Sequence, residues 1–208
     1  MKFAYITLTI FFLSSLSVFS QEFSKDMWHR GEIDLENGET LKGKIKYNLD
    51  ENNIVFQAGA VIRSLNPTKV EAWQIIDTNT KQVRYFYTLP YSHDRSSYKK
   101  PTFFELLTEG DKLTLLTRED VVEKIENQYD PYFFGGRNVR MSVLVENYFF
   151  MNSRGQIISC PTDIDDLMKF MGDKESQIKK FIKTNKLKIE RRENMIQIVD
   201  YYNSLQQS

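Results

Sequence analysis

Chemistry near neutral pH would have to draw on few residues. His29 and His93 are the only two histidines among 208 residues. With 63 residues between them, neither belongs to a spaced metal set such as H-E-x-x-H. The single cysteine, Cys160, can form no internal disulfide and has no histidine near it in sequence. It reads as a small apolar side chain at the end of a buried strand. Asp163, Asp165 and Asp166 lie close together but lack the calcium-loop spacing and its central glycine, and they suit the positive end of a helix instead. The nucleophile elbow, the P-loop and the dinucleotide fingerprint are absent. Glu105 and Glu146 illustrate the carboxylate pairs that could serve glycoside hydrolysis, but such a pair acquires meaning only from its separation in space. No catalytic residue, metal or cofactor follows from these residues, and the chain reads as more binding module than enzyme.

Aromatic rings give the stronger hint. Tyr129-Asp130-Pro131-Tyr132-Phe133-Phe134-Gly135-Gly136 sets four rings beside paired glycines, and these rings either fold back onto a sheet or meet a ligand or partner. His93-Asp94-Arg95 sits in a serine-rich stretch that reads as a surface loop. Tyr129, Tyr132, Phe133, Phe134, Arg137 and His93 are therefore the candidate ligand or partner contacts. The lysines between Lys179 and Lys188, with Arg191 and Arg192, read as the wet face of amphipathic helices, open to weak contact with anionic envelope lipids or another protein. With 28 basic and 28 acidic side chains, the whole chain offers no field for nucleic acid.

Residues 31–47, GEIDLENGETLKGKIKY, organise the elements that must position such groups. Ile33 and Leu35 precede an Asn37-Gly38 turn, expected as type I′, and Leu41, Ile45 and Tyr47 follow it with a period of two. Short strands continue around Gly59, over 70–76 with Trp73, and over 83–87. Residues 90–101 read as a loop, 103–117 as a second hairpin with both faces covered, 120–126 as two turns of helix, and 139–151 with 156–160 as a last hairpin. About ten strands imply an antiparallel meander forming a sandwich or partly open barrel. Beyond Pro161 the period becomes helical, with Thr162 capping a helix, Asp173 capping a second, and a third over about 190–205. The fold class is α+β, mainly β, with about three C-terminal helices.

Residues 1–20 read as a signal peptide: Lys2, an apolar run over 3–13, and Val18-Phe19-Ser20 before the cut. Residues 21–160 then form a β-rich domain and 161–208 a helical tail packed on it, with no transmembrane segment in the mature chain. The pattern G-x-I-x-L-x-x-G-x-x-x-x-G-x-I-x-Y, the later FFELLTEGDKLTLL and the ending IKKFIKTNKLKIERRENMIQIVDYYNSL resemble a broad group of exported, functionally uncharacterised Bacteroidota-type proteins that join a β-rich region to a helical tail. That resemblance implies a periplasmic, outer-membrane-associated or secreted protein and transfers no catalytic residue. Three functions follow as expectations. One is a non-enzymatic module contacting another envelope protein, another a small-ligand or glycan binder with rings at a barrel mouth, and the third a hydrolase with an unfamiliar site.

Overall fold

Apolar alternation dictates the register of the first hairpin, β1 (His29–Leu35) with β2 (Thr40–Asn48), in which Ile33 lies opposite Leu41. A two-residue turn at Asn37-Gly38 would set Ile33 opposite Lys42 and turn one strand inside out. Instead Leu35 N–H donates to Glu39 C=O at 2.9 Å across three residues, and in that loop only Gly38 takes a positive φ, 82°. This three-residue loop with a left-handed glycine replaces the expected type I′ turn.

The computed structural model describes residues 24–92, 98–130 and 135–206, and for residues 127–130, 135–137 and 139 the backbone alone. The expected signal peptide lies outside the described residues. The remaining strands are β3 (Asn53–Ala58), β4 (Val61–Leu65), β5 (Val70–Ile76), β6 (Val83–Tyr91), β7 (Lys100–Thr108), β8 (Leu113–Asp130), β9 (Gly135–Asn152) and β10 (Ile157–Ser159). All ten join one antiparallel sheet in the order β10-β9-β8-β7-β6-β5-β1-β2-β3-β4. It is a meander with one step back, where β5 returns to the free edge of β1.

The sheet does not close, and its strands do not divide into two stacked sheets, so a sandwich is corrected to one curled sheet. Curling is strong enough that Tyr47 on β2 donates to Glu119 on β8, with four strands between them in the sheet. Gly31 and Gly43, facing each other across β1 and β2, permit it. A Cβ on Gly31 would lie 2.2 Å from the Gln74 carbonyl oxygen, and one on Gly43 would lie 2.4 Å from that of Gln57. Only glycine fits so close a backbone approach.

Three apolar clusters hold this shape. Inside the curl, Ile33, Ile45, Tyr47, Ile54, Trp73 and Phe86 pack together, with the Trp73 and Phe86 rings stacked at 3.7 Å. On the opposite face, Phe104, Leu116 and Phe149 form a second cluster, closed by the edge of Tyr91. The expected cover on both faces of residues 103–117 is thus found. Leu113, Leu115, Tyr148 and Phe150 form the third, with Leu167, Ile178, Met195 and Ile198 from the tail.

The tail differs in detail from expectation. Helix α1 (Ile164–Met171) passes through the 3-10 turn Gly172–Lys174 into α2 (Glu175–Asn185), and α3 (Arg192–Ser204) follows. The tail is therefore two helical runs rather than three separate helices. Asp163, not Thr162, caps α1, accepting from the Asp165 amide at 2.8 Å and the Asp166 amide at 3.3 Å. Asp173 lies inside the 3-10 turn and caps nothing. On the sheet, the Asn203 side chain exchanges two hydrogen bonds with the Leu113 backbone, at 3.0 and 2.8 Å. Gly110 leaves room for that amide, since a Cβ there would lie 2.1 Å from it.

Two segments are strand where sequence periodicity gave no strand. Residues 120–126 continue β8 rather than forming helix, and Pro90 pairs with Pro101 across β6 and β7 where a loop was expected. Proline tolerates a sheet only where no ladder N–H is required of it, so such pairing is hard to read from sequence.

Candidate functional site

Alternation along β6 puts Arg84 on the same face as Phe86, inside the curl, and that buried guanidinium gathers polar groups from four other segments. It grips Glu105 on β7 in a fork, Nε to Oε1 at 2.9 Å and Nη2 to Oε2 at 2.6 Å. Nη2 also donates to Glu119 on β8 at 2.5 Å, and Nη1 donates to the Tyr47 hydroxyl at 2.8 Å and to Asp77 at 3.3 Å. The Tyr47 hydroxyl in turn donates a hydrogen bond to Glu119 at 2.8 Å. A second guanidinium, Arg192 at the start of α3, donates to Glu105 and, at 2.5 Å, to Glu146 on β9. Glu146 also accepts from Tyr148 at 2.8 Å.

Four carboxylates thus share two guanidiniums beside a small cavity of about 200 Å³. Burial opposes the charge on Arg84, but Glu105, Tyr47 and Glu119 outweigh it and raise its pKa. Burial drives the Tyr47 and Tyr148 phenols far up, so neither is a base at physiological pH. Each carboxylate of the cluster accepts from an arginine, and Glu119 and Glu146 also accept from a tyrosine. Such an array clamps the sheet to α3. Glu105 and Glu146, the pair weighed for hydrolysis, meet here only through Arg192.

Asp77 makes the clamp sensitive to acid. Burial alone would raise its pKa, but hydrogen bonds from Ser24, the Thr80 and Asn79 amides and Arg84 prevail and hold it well below the usual carboxylate range. Its charge therefore stabilises the folded chain above the unfolded carboxylate pKa of about 4, and this contribution is lost as pH falls from there toward the folded value. Melting followed by circular dichroism from about pH 6 to about pH 2.5 should show Asp77→Asn losing less stability than wild type across that interval. Parallel slopes would exclude Asp77 as the linked group.

Two surface features stand outside the clamp. A groove of about 1040 Å³ crosses the outer faces of β3, β2, β1, β5 and β6, and Arg30, Lys42, Lys44, Gln57, Gln74 and Tyr85 are among the residues lining it. The other feature is an arm. Pairing of β7 with β8 ends at Glu105 opposite Thr117, while β8 and β9 stay paired out to Asp130 opposite Gly135. The split is finished by side chains: Asn52 accepts from the Phe103 amide at 2.8 Å, and Arg118 donates to the Phe103 carbonyl at 2.5 Å. Beyond it, β8 and β9 bond only to each other within the sheet, over roughly 40 Å at the usual rise per residue. From Glu123 and Ser142 outward the described side chains are exposed on both faces, Ile125 at 63% and Met141 at 41%.

No family model, curated protein or solved structure matches this chain. Its own geometry is therefore the basis for any function.

Of the residues expected to touch a ligand or partner, Tyr129 and Arg137 have backbones at the far end of the arm, paired with Gly136 and Gln128. Their side chains, and all of His93, Tyr132, Phe133 and Phe134, lie outside the described residues. The unclosed sheet gives those rings no closed barrel mouth to line. Cys160 is buried, with its thiol pushed up to about 12 by that burial. Among the described residues no three or more His, Cys, Asp or Glu side chains are grouped to hold a metal. Sequence inspection missed Arg84 and Glu119, and it set Arg192 on the wet face of a helix, whereas that side chain turns to the sheet and pairs with Glu105 and Glu146. The available signal was a charged residue in phase with buried neighbours, as Arg84 is with Phe86 and Glu119 with Leu115.

Proposed function

We propose that this is an exported, non-enzymatic interaction module of the cell envelope, and that it engages a protein partner through the β8–β9 arm. One observation carries this reading: among the described residues, a two-stranded ribbon leaves the sheet with both edges unpaired, and past Glu123 and Ser142 every described side chain is exposed. A lone two-stranded ribbon is marginal in water, and open edges are templates for a further strand. Lys124 and Glu126 charge the arm, as exposed edges commonly are. The export pattern in residues 1–20, and the resemblance to exported β-rich proteins with helical tails, support the envelope location. The clamp supports the non-enzymatic part, since its carboxylates are committed to arginines.

A photo-crosslinking amino acid at Ile125 is expected to yield a discrete heavier adduct in the native envelope. The same group at Gln82, beside the body's small cavity, should yield none. Shortening the arm by joining Val122 to Val143 through Asn-Gly should leave the melting temperature nearly unchanged and remove the partner from the purified complex. An unmodified band at Ile125 would overturn the arm as the contact, and a finished protein that still begins at Met1 would overturn export.

A further inference from the structure

The outer face of the sheet carries one cross-strand row in which two cations stand side by side. Register sets Val83, Ile76, Arg30, Lys44, Gln57 and Ile62 side by side on β6, β5, β1, β2, β3 and β4. Arg30 and Lys44 are thus direct cross-strand neighbours of like charge, an arrangement that destabilises a sheet unless something negative relieves it. Among the described residues neither makes an ion pair, and Glu32, the nearest carboxylate in the ladder and itself part of the groove lining, is paired with Lys42 at 2.9 Å. Both cations are exposed and line the 1040 Å³ groove.

The rest of the lining narrows the ligand. Gln57 and Gln74 offer amide donors and acceptors beside the cations, suited to hydroxyl groups. Tyr85, 47% exposed, stands next to Gln74 and joins Ile76 and Val83 in a small apolar wall, suited to the C–H face of a sugar ring but too short for an acyl chain. Arginine's fork matches a carboxylate or sulfate. The geometry points to a binding site for an acidic saccharide, with Arg30 and Lys44 on its anionic group, Gln57 and Gln74 on its hydroxyls, and a ring against Tyr85. This site is on a different surface from the arm and does not depend on it.

Isothermal titration at low salt with a galacturonic acid hexamer and a sulfated heparin hexasaccharide tests it, with maltohexaose as the neutral control. Wild type should bind at least one acidic probe and bind maltohexaose far more weakly. Arg30→Ala and Lys44→Ala should each weaken the acidic probe by about tenfold or more, the size of one lost charge-assisted contact. Tyr85→Ala should weaken it without changing its salt dependence. All three side chains are exposed, and circular dichroism verifies that the variants fold. Failure of both acidic probes to bind would overturn the site, as would equal binding of maltohexaose. So would a loss that follows Lys179→Ala and Lys180→Ala on α2 rather than the groove variants, since that would mark non-specific attraction. Crosslinking at Ile125 is read separately, so either proposal can fail alone.

Discussion

Arg84→Ala is expected to cost about 3–5 kcal/mol of folding stability, because it strands buried carboxylates that have no other cation within reach. Glu105 is nearly inaccessible and Glu119 and Asp77 are buried; all three accept from this guanidinium. Arg192 still reaches Glu105 and Glu146 but none of its bonds extends to Glu119 or Asp77. For a chain of this size the loss corresponds to a fall in Tm of the order of 10 °C. Arg84→Lys should recover only part of it, since an ammonium cannot fork across Glu105 while also meeting Glu119 and Tyr47. Urea unfolding of the three proteins checks the ranking. A loss below about 1 kcal/mol for Arg84→Ala would place the pair among ordinary surface ion pairs and remove the clamp.

Trp73→Ala should be similarly severe, about 3–5 kcal/mol, by emptying the centre of the curl. Its ring stacks on Phe86 at 3.7 Å, meets Phe103 edge-on at 5.9 Å and lies 5.5 Å from Tyr47. Trp73→Phe separates packing from hydrogen bonding. The indole Nε1 is buried without an acceptor among the described residues, and an unmet buried donor costs about 1–3 kcal/mol. Phenylalanine keeps much of the stack and removes that donor, so its net cost should stay below about 1.5 kcal/mol. Chemical denaturation distinguishes the two. Equal losses for alanine and phenylalanine would show that the full indole volume, not ring stacking, sustains the core.

Legibility in the sequence tracked the range of the interaction responsible. The first hairpin could be located from Ile33, Leu35, Leu41, Ile45 and Tyr47, because alternation is a local consequence of burying one face. Its loop was misjudged by one residue, although the same alternation, taken as a constraint on register, already excluded a two-residue turn. Residues 120–126 misled for a related reason. From Glu123 outward the arm has no buried side to impose a period of two, so residues 120–126 read as helix. Tyr129 and Arg137 were singled out by composition, and only strand pairing revealed that their backbones end an arm. The groove was hidden more deeply, since Arg30 and Lys44 become neighbours only through the β1–β2 register, and Ile76 joins them only because β5 returns to β1.

What the sequence determined by itself was the chain's local grammar. It held a β-rich body of about ten strands, a helical period after Pro161 and a cysteine with no partner, because propensity, alternation and residue counts need no knowledge of distant neighbours. Tertiary structure decided that the strands form one unclosed sheet, that β8 and β9 leave it as an arm, and that Arg84, Glu105, Glu119, Glu146 and Arg192 converge. Those outcomes depend on how sharply the sheet curls at Gly31 and Gly43 and where β7 parts from β8. Both are set by packing between segments far apart in the chain, which no local pattern encodes.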